Sequence, residues 1–147
     1  NKGPDAVRGI RGYWALFGTM FKNALQVMAV AQSVGATIVI EWLRACRYSH
    51  LDKVKRAIEK FDLQIYDFDG CMYGIKSILP KTQGTPIRKP WRTATNCPIV
   101  GAAFSTKCDG SHKHTPCEGG DTRQTENYSR RFADSFHRAF RSLCGVL

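Results

Sequence analysis

Apolar residues recur every three or four positions in three stretches of this 147-residue chain, and that spacing predicts amphipathic helices. The first helix covers residues 14–31 and follows an irregular, basic lead-in over residues 1–12. The second covers residues 51–61, and the third opens at Asn127 or Ser129. We expect one face of each helix to be buried.

Two short segments are predicted to be strands. One lies between the first two helices, and the other follows the second helix. Residues 36–40 are almost continuously apolar and rich in β-branched side chains, which is typical of a strand covered on both faces of a parallel sheet. A second strand is predicted over residues 63–68. Because a helix separates them, the pattern indicates a βαβ unit with a right-handed crossover. We therefore predict an α/β fold, a partial Rossmann-like sheet with flanking helices, in a single domain over residues 1–147.

Acidic residues stand at the ends of both predicted strands. Glu41 follows the first strand, and Asp67 and Asp69 end the second. Open α/β sheets place their sites at the carboxyl ends of strands, and carboxylates there act as acids or bases or hold a divalent cation. Glu41 is therefore the candidate catalytic residue. The alternative is that it caps a helix or pairs with Arg44.

Basic residues concentrate in the second half of the chain. Two extended arms are predicted over residues 71–78 and 85–95, joined by a turn, and a short helical segment over residues 97–104 follows. The returning arm interleaves cations with an indole, a pattern that suits phosphate contacts and stacking on a base. For the indole, packing against the sheet is the alternative. The candidate nucleic-acid-binding residues are Arg88, Lys89, Trp91, Arg92, Arg130 and Arg131.

The overall charge supports an anionic partner. The chain carries 22 Lys and Arg against 12 Asp and Glu, a formal net charge of +10. Such a surplus favours nucleic acid, DNA or RNA, with an indifferent basic surface as the alternative. No apolar run approaches the roughly 20 residues of a membrane-spanning helix, and no signal peptide is recognisable. We therefore expect an intracellular protein without a membrane span, with the nucleus as a candidate location.

A dense Cys/His cluster lies in a loop over residues 106–121. Six cysteines without a secretory signal favour reduced thiols and a metal over three disulfides. Zinc takes four tetrahedral nitrogen or sulfur ligands, and residues two apart in an extended segment point the same way. We predict a structural zinc, with a metal-free polar loop and a catalytic metal as the alternatives. The candidate ligands are Cys108, His112 and His114, with Cys117, Cys71 or Cys46 as the fourth.

Four segments occur in this order along the chain: Glu41-Trp-Leu-Arg-Ala-Cys46, Phe68-Asp-Gly-Cys-Met-Tyr-Gly74, Lys89-Pro-Trp-Arg92 and Cys108…His112-x-His114. Together they resemble a methyltransferase-like domain in polyproteins of eukaryotic retroelements, especially dinoflagellate ones, which is in turn similar to the downstream half of cytosine-5 DNA methyltransferases. The resemblance covers residues from about 3 to 140. It implies that Glu41 stands where the methyltransferase Glu holds the target cytosine, and it favours Cys71 as the fourth metal ligand.

The chain also departs from that family. The Pro-Cys nucleophile motif is expected upstream of residue 3, the glycine-rich cofactor loop is missing, and Trp42-Leu43 replaces the family's Asn-Val. We therefore predict a module of a mobile element or larger polypeptide that is stabilised by a structural zinc and binds nucleic acid. We expect it neither to catalyse a reaction on its own nor to bind S-adenosylmethionine. Because the sequence begins at Asn1 rather than Met, we expect it to be part of a longer protein. The alternatives are half of a DNA methyltransferase-type enzyme, or a basic subunit of a larger complex.

Overall fold

A computed structural model describes residues 4–145, with side chains from residue 8 onward. The chain divides into two compact units, Asn1–Ile38 and Val39–Leu147, and each is described by itself. Within residues 4–145, no helix combines the length and the apolar stretch that crossing a bilayer requires. The prediction of one domain over the whole chain stays a prediction.

The first unit contains one long helix, α1, over Pro4–Ser33. The predicted helix is confirmed, but residues 4–12 belong to it, so the predicted irregular lead-in is wrong there; residues 1–3 lie outside the described part. Proline is well tolerated in the first helical turn because its missing N–H has no partner there. Met28 is buried, on the predicted stripe. Gly35 ends the helix with a φ of 67°, a left-handed conformation that glycine adopts at little cost.

The second unit is built on a three-stranded sheet. Its strands are β1 (Val39–Leu43), β2 (Gln64–Asp69) and β3 (Pro90–Thr95), in the spatial order β1-β3-β2. Both strand pairs are antiparallel, so the predicted parallel sheet is wrong. The second predicted strand, 63–68, nearly coincides with β2. The first, 36–40, shares only Val39 and Ile40 with β1, so Glu41 lies inside this strand rather than after it. β1 is also an edge strand with half-buried or exposed residues, so the predicted burial on both faces is wrong. What the apolar pattern did not reveal is that β3 inserts between β1 and β2, with Pro90 at the strand's first position, where a missing N–H is tolerated.

Helices flank this sheet, so the mixed α/β class is confirmed. The predicted segment 97–104 forms a short helix, and the last predicted helix is present with Ser129 as its N-cap, whose hydroxyl accepts the Phe132 N–H at 3.1 Å. Phe140 and Leu143, expected on its buried face, are 54% and 39% exposed. The helices of this unit are α2 (Asp52–Lys60), α3 (Pro98–Ala103), α4 (Gly120–Gln124) and α5 (Arg130–Leu143), with 3₁₀ turns at Arg47–His50 and Gly70–Tyr73.

The core of the second unit is aromatic and lies between the sheet, α3 and α5. Phe68 of β2 is fully buried and its ring lies 5.4 Å from that of Trp91 on β3. Phe104, which follows α3, stacks on Phe132 of α5 at 4.5 Å. Aromatic pairs at such distances add to the free energy gained from area burial. This core holds α5 against the same sheet face that carries Glu41.

The two predicted arms and their turn are also present, except that residues 71–73 of the first arm belong to the 3₁₀ turn Gly70–Tyr73 and are not extended. Ile87 N donates to Ile75 O at 3.0 Å, and Ser77 N donates to Thr85 O at 2.9 Å. A buried carboxylate ties the outgoing arm to α4: Asp121 accepts the Ser77 hydroxyl at 2.6 Å and the Ile78 N–H at 2.8 Å. The loop over residues 106–121 is therefore fixed at its far end as well as near β2.

Candidate metal centre and the Glu41 cavity

Four potential metal ligands converge beside the end of β2. Cys71 comes from the 3₁₀ turn after this strand, and the other three come from the loop over residues 106–121. The four ligand atoms of Cys71, Cys108, His112 and His114 all lie within 4.8 Å of one another. Cys71, Cys108 and His112 are half-buried. The chain thus forms a compact N₂S₂ set from residues up to 43 positions apart.

The spacing of these atoms fits a tetrahedral ion. Cys108 Sγ lies 3.6 Å from His112 Nε2 and 3.5 Å from His114 Nε2, and Cys71 Sγ lies 3.4 Å from His114 Nε2. Zinc bonds of about 2.3 Å to sulfur and 2.0–2.1 Å to nitrogen, at tetrahedral angles, place S and N about 3.6 Å apart. The four residues can therefore hold a metal ion, and the geometry is compatible with zinc.

The donor set also fits zinc chemically. Burial, and then the neighbouring Cys108 thiol, raise the pKa of Cys71 to about 11, because two thiolates side by side are unfavourable without a cation. A bound divalent ion reverses this balance, since a coordinating thiol is deprotonated outright. Four protein ligands leave no open coordination position, which is the pattern of structural rather than catalytic zinc.

Asp69 connects the strand to the metal loop. Its side chain is fully buried, and Oδ2 accepts the Cys108 N–H at 2.9 Å. The same oxygen lies 3.4 Å from Nε of Arg88. The Asp69 N–H donates to Thr106 O at 3.1 Å. Asp69 was expected at the edge of an active site. In the structure it instead orients the backbone of Cys108, one of the four potential metal ligands.

A turn at Asp109-Gly110 brings Cys108 back toward the two histidines. Asp109 Oδ1 accepts the Ser111 N–H at 2.9 Å, and Gly110 adopts a φ of 80°. The Gly110 N–H also donates to Cys108 Sγ at 3.4 Å. An N–H directed at the sulfur favours the thiolate form that binds metal.

The two other candidates for the fourth ligand lie outside this cluster. Among the described residues, the group that could hold an ion comprises Cys71, Cys108, His112 and His114. Cys117 instead contacts Thr125 Oγ1 at 3.3 Å. Cys117 also follows Pro116, so a Pro-Cys pair is present in this loop, although not upstream of residue 3 where the family has its nucleophile.

Glu41 lies in a different place from the acids of β2. It is paired across the sheet with Thr93, whereas Asp67 is paired with Arg92, one position along β3. Successive side chains of a strand point to opposite faces, so Glu41 and Asp67 lie on opposite faces of the sheet. The expectation that Glu41, Asp67 and Asp69 face one pocket is therefore wrong.

Glu41 instead meets Tyr128, just before α5. The Tyr128 hydroxyl donates to Glu41 Oε2 at 3.0 Å. Burial raises the pKa of Glu41, and this hydrogen bond and the charge of Lys89 offset part of the rise. Burial and the adjacent carboxylate raise the pKa of Tyr128 to about 12. No ion pair between Glu41 and Arg44 is present among the described residues.

Glu41 lines a cavity between the sheet and α5. Its volume is about 370 Å³, within the range of roughly 300–1,000 Å³ for small-molecule sites. Four aromatic rings make up much of its wall, and His137 and Thr93 add polar groups. The aromatic lining residues are Phe104, Tyr128, Phe132 and Phe136.

Three of the predicted nucleic-acid-binding residues are engaged within the protein. Arg92 forms a bidentate pair with Asp67, at 2.6 and 2.9 Å, which lowers the pKa of Asp67. Lys89 Nζ donates to Thr125 O at 2.5 Å and lies 5.2 Å from the centre of the Trp91 ring. Trp91 is only 3% exposed. The predicted stacking of Trp91 on a base is therefore wrong, and the alternative, packing against the sheet, is what the structure has.

The other three predicted cations are accessible. The Arg88 side chain is 53% exposed and that of Arg130 is 94% exposed, and Arg131 is also exposed. Arg130 makes a long i,i+4 contact of 3.8 Å with Asp134, a type of surface pair that contributes little. These three residues remain candidates for phosphate contacts.

Sequence reasoning missed Tyr128 and Asp121. Tyr128 reaches a residue 87 positions away in the chain, and Asp121 reaches residues 43 and 44 positions away. No local pattern marks either side chain, because each acquires its role only when distant segments meet.

Comparisons of the chain with protein-family models, with curated proteins and with solved structures found no match. The resemblance to retroelement and methyltransferase-like domains is therefore a prediction from the residues quoted above. The function has to be argued from the metal centre, the charged surface and the Glu41 cavity.

Proposed function

We propose that this protein is a module that is stabilised by a structural zinc and binds nucleic acid through exposed cations around its metal centre. The observation that carries the proposal is the N₂S₂ cluster, with S···N distances of 3.4 to 3.6 Å. In this proposal zinc joins the turn after β2 to the loop over residues 106–121. The ion has a structural role, fixing a loop whose residues between 107 and 120 are half-buried or exposed.

Three exposed cations flank this centre, and we call them the metal-proximal basic surface. Arg88 contacts Asp69 Oδ2, the oxygen that accepts the Cys108 N–H. Lys113 stands between two ligands. Arg131 packs against Gly74, where an added Cβ would lie 3.7 Å from Arg131 Cβ, three residues after Cys71.

Fixed cations suit a phosphate backbone. Each phosphate contact releases condensed counterions, so affinity falls steeply with salt. The net charge of +10 adds long-range attraction that speeds the encounter. Because Trp91 is buried, the proposal rests on phosphate contacts rather than on base stacking, and it therefore expects weak sequence preference.

The proposal keeps the expected lack of independent catalysis. Glu41 and Asp67 lie on opposite sheet faces, so these two carboxylates do not form one acid/base site. This arrangement favours a binding module, of a mobile element or a larger polypeptide, over half of a methyltransferase-type enzyme. A basic subunit that binds an acidic protein is the remaining alternative.

The test is the salt dependence of binding to labelled single-stranded DNA, duplex DNA and RNA, measured by fluorescence anisotropy between about 50 and 200 mM salt. Replacing Arg88, Lys113 and Arg131 by alanine should lower the slope of log K against log salt by up to about 3, roughly one per lost phosphate contact. A matched control removes the same charge from the outer face of α2, with Lys55, Arg56 and Lys60 each replaced by alanine.

The two triple variants separate surface from total charge. The proposal expects the α2 variant to bind nearly as the parent does. Equal losses in both variants would show attraction by net charge alone and would overturn the assigned surface. No binding to any of the three nucleic acids at low salt would overturn the function itself and favour the protein-partner alternative.

A further inference from the structure

The cavity beside Glu41 is independent of the metal centre and of the basic surface. Its floor is the sheet, through Glu41 and Thr93, and its walls come from α5 and the residues before it. Phe104 and Phe132 belong to the core, so the back of the cavity is set by rigid packing. Tyr128, which is 56% exposed, and His137 stand at the accessible side.

The cavity contains an unpaired half-buried carboxylate. Among the described residues, the only side-chain hydrogen bond of Glu41 is the one from Tyr128 to Oε2. Its second oxygen, Oε1, accepts no hydrogen bond from them and is not fully enclosed by protein atoms, so a molecule in the cavity can reach it. A cationic donor there would replace the water that a half-buried carboxylate otherwise needs.

The residues around Glu41 limit which kind of ligand can pair with its carboxylate. Lys89 acts on Glu41 only through its field, because its ammonium is bound to Thr125. The walls are mostly aromatic, and the polar groups beyond Glu41 are Thr93, the engaged Tyr128 hydroxyl and His137. An anion would be repelled by Glu41, and a strongly hydrated inorganic cation would lose its water shell to apolar walls.

We propose that this cavity binds a small organic cation: an ammonium group, which donates to Glu41 Oε1, attached to an aromatic body that packs among Phe104, Phe132 and Phe136. The charge of the ligand complements the carboxylate, and charge-assisted N–H···O bonds are stronger than neutral ones. The apolar body replaces water against the rings, which supplies the non-directional part of the affinity.

The test uses three probes that share a phenylethyl body and differ in the terminal group, which is positive, neutral or negative. They are 2-phenylethylammonium, 2-phenylethanol and 3-phenylpropanoate, titrated into the whole chain and followed by calorimetry and by backbone amide NMR. The ammonium should bind with a dissociation constant on the order of 1 mM, as befits so small a ligand. The alcohol should bind about tenfold more weakly, and the carboxylate should not bind detectably.

Variants locate the site. Glu41→Gln keeps the shape and removes the charge, so it should weaken ammonium binding about tenfold and abolish the preference over the alcohol. Glu59→Gln on α2 removes the same charge outside the cavity and should change neither. Should Glu41→Gln fail to fold, shifts of the Thr93 and Ala133 amides in the unmodified protein provide the same test.

Three results would overturn the proposal. Equal affinity for the ammonium and the alcohol would mean that the cavity is only apolar. Unchanged ammonium binding in a folded Glu41→Gln variant, or amide shifts centred away from Thr93 and Ala133, would place the site elsewhere. Absence of binding up to the solubility of the probe would exclude this ligand class.

Discussion

Replacing Cys71 by serine tests whether one ion joins β2 to the distal loop. Serine keeps the size of the side chain but offers zinc a far poorer ligand than thiolate. Cys46→Ser and Cys117→Ser are matched controls, since each removes one thiol that lies outside the four-ligand group. The proposed site predicts that only the first substitution removes the effect of zinc on stability.

The size of the effect follows from the loop that the ion closes. Cys71 and His114 are 43 residues apart, and a cross-link over that span restricts the unfolded chain by about 4 kcal/mol in the chain-entropy treatment. Mass action gives a similar scale: free zinc at 100 and 1,000 times its dissociation constant stabilises by about 2.7 and 4.1 kcal/mol. A gain of about 3 kcal/mol corresponds to a rise in Tm of roughly 10 °C for a domain of this size.

The assay is thermal unfolding, followed by circular dichroism, in buffers that clamp free zinc. Above the dissociation constant, each tenfold rise in free zinc should add about 1.4 kcal/mol. The parent, Cys46→Ser and Cys117→Ser should share this rise, and Cys71→Ser should melt at nearly the same temperature at every zinc level. A Cys71→Ser variant with the parent's zinc dependence would refute the assigned ligand. A parent that purifies without zinc and does not respond to it would refute the site.

Three further predictions concern the contacts around the two sites. Asp121→Asn leaves one of two buried donors, the Ser77 hydroxyl or the Ile78 N–H, without an acceptor, so it should cost about 1–3 kcal/mol in urea unfolding; an unchanged midpoint would contradict this. Ser129→Ala removes the cap of α5 and should cost about 1 kcal/mol, whereas Ser129→Thr should cost less. Because Arg92 lowers the pKa of Asp67, the stability due to this pair, about 1.5 kcal/mol, should be complete above about pH 5 and lost as the pH falls below about 4. The difference between Asp67→Asn and the parent should therefore vanish in acid, and a difference that persists at low pH would contradict the ion pair.

Local signals predicted the parts of this protein that depend on neighbours in the chain. Helical spacing identified α1 and α5, a short apolar run indicated a strand three residues before β1, and Ser129 was one of two residues predicted to open α5. The spacing of Cys108, His112 and His114 identified three of the four clustered residues, because a short loop brings residues that close in sequence together in space. The fourth, Cys71, was favoured only by the resemblance.

Those local signals could not predict how the strands pair across the sheet. A buried strand of five or six residues looks the same whether its neighbour runs parallel or antiparallel, so the pattern favoured a βαβ unit and missed the insertion of β3. Because β3 lies between β1 and β2, Arg92 is paired with Asp67 and Trp91 is buried. Two residues predicted to contact nucleic acid became part of the fold instead.

The sequence by itself determined the helices, the approximate positions of the first two strands, the strong positive charge and a loop rich in Cys and His, since each is set by residue type at short spacing. Only the tertiary structure decided the order of the strands, the convergence of Cys71 on that loop and the separation of Glu41 from the acids of β2. The physical reason is that a strand alternates its side chains between two faces. Which residues then share a face, a cavity or an ion depends on partners many positions away, and those partners are chosen by packing of the whole second unit.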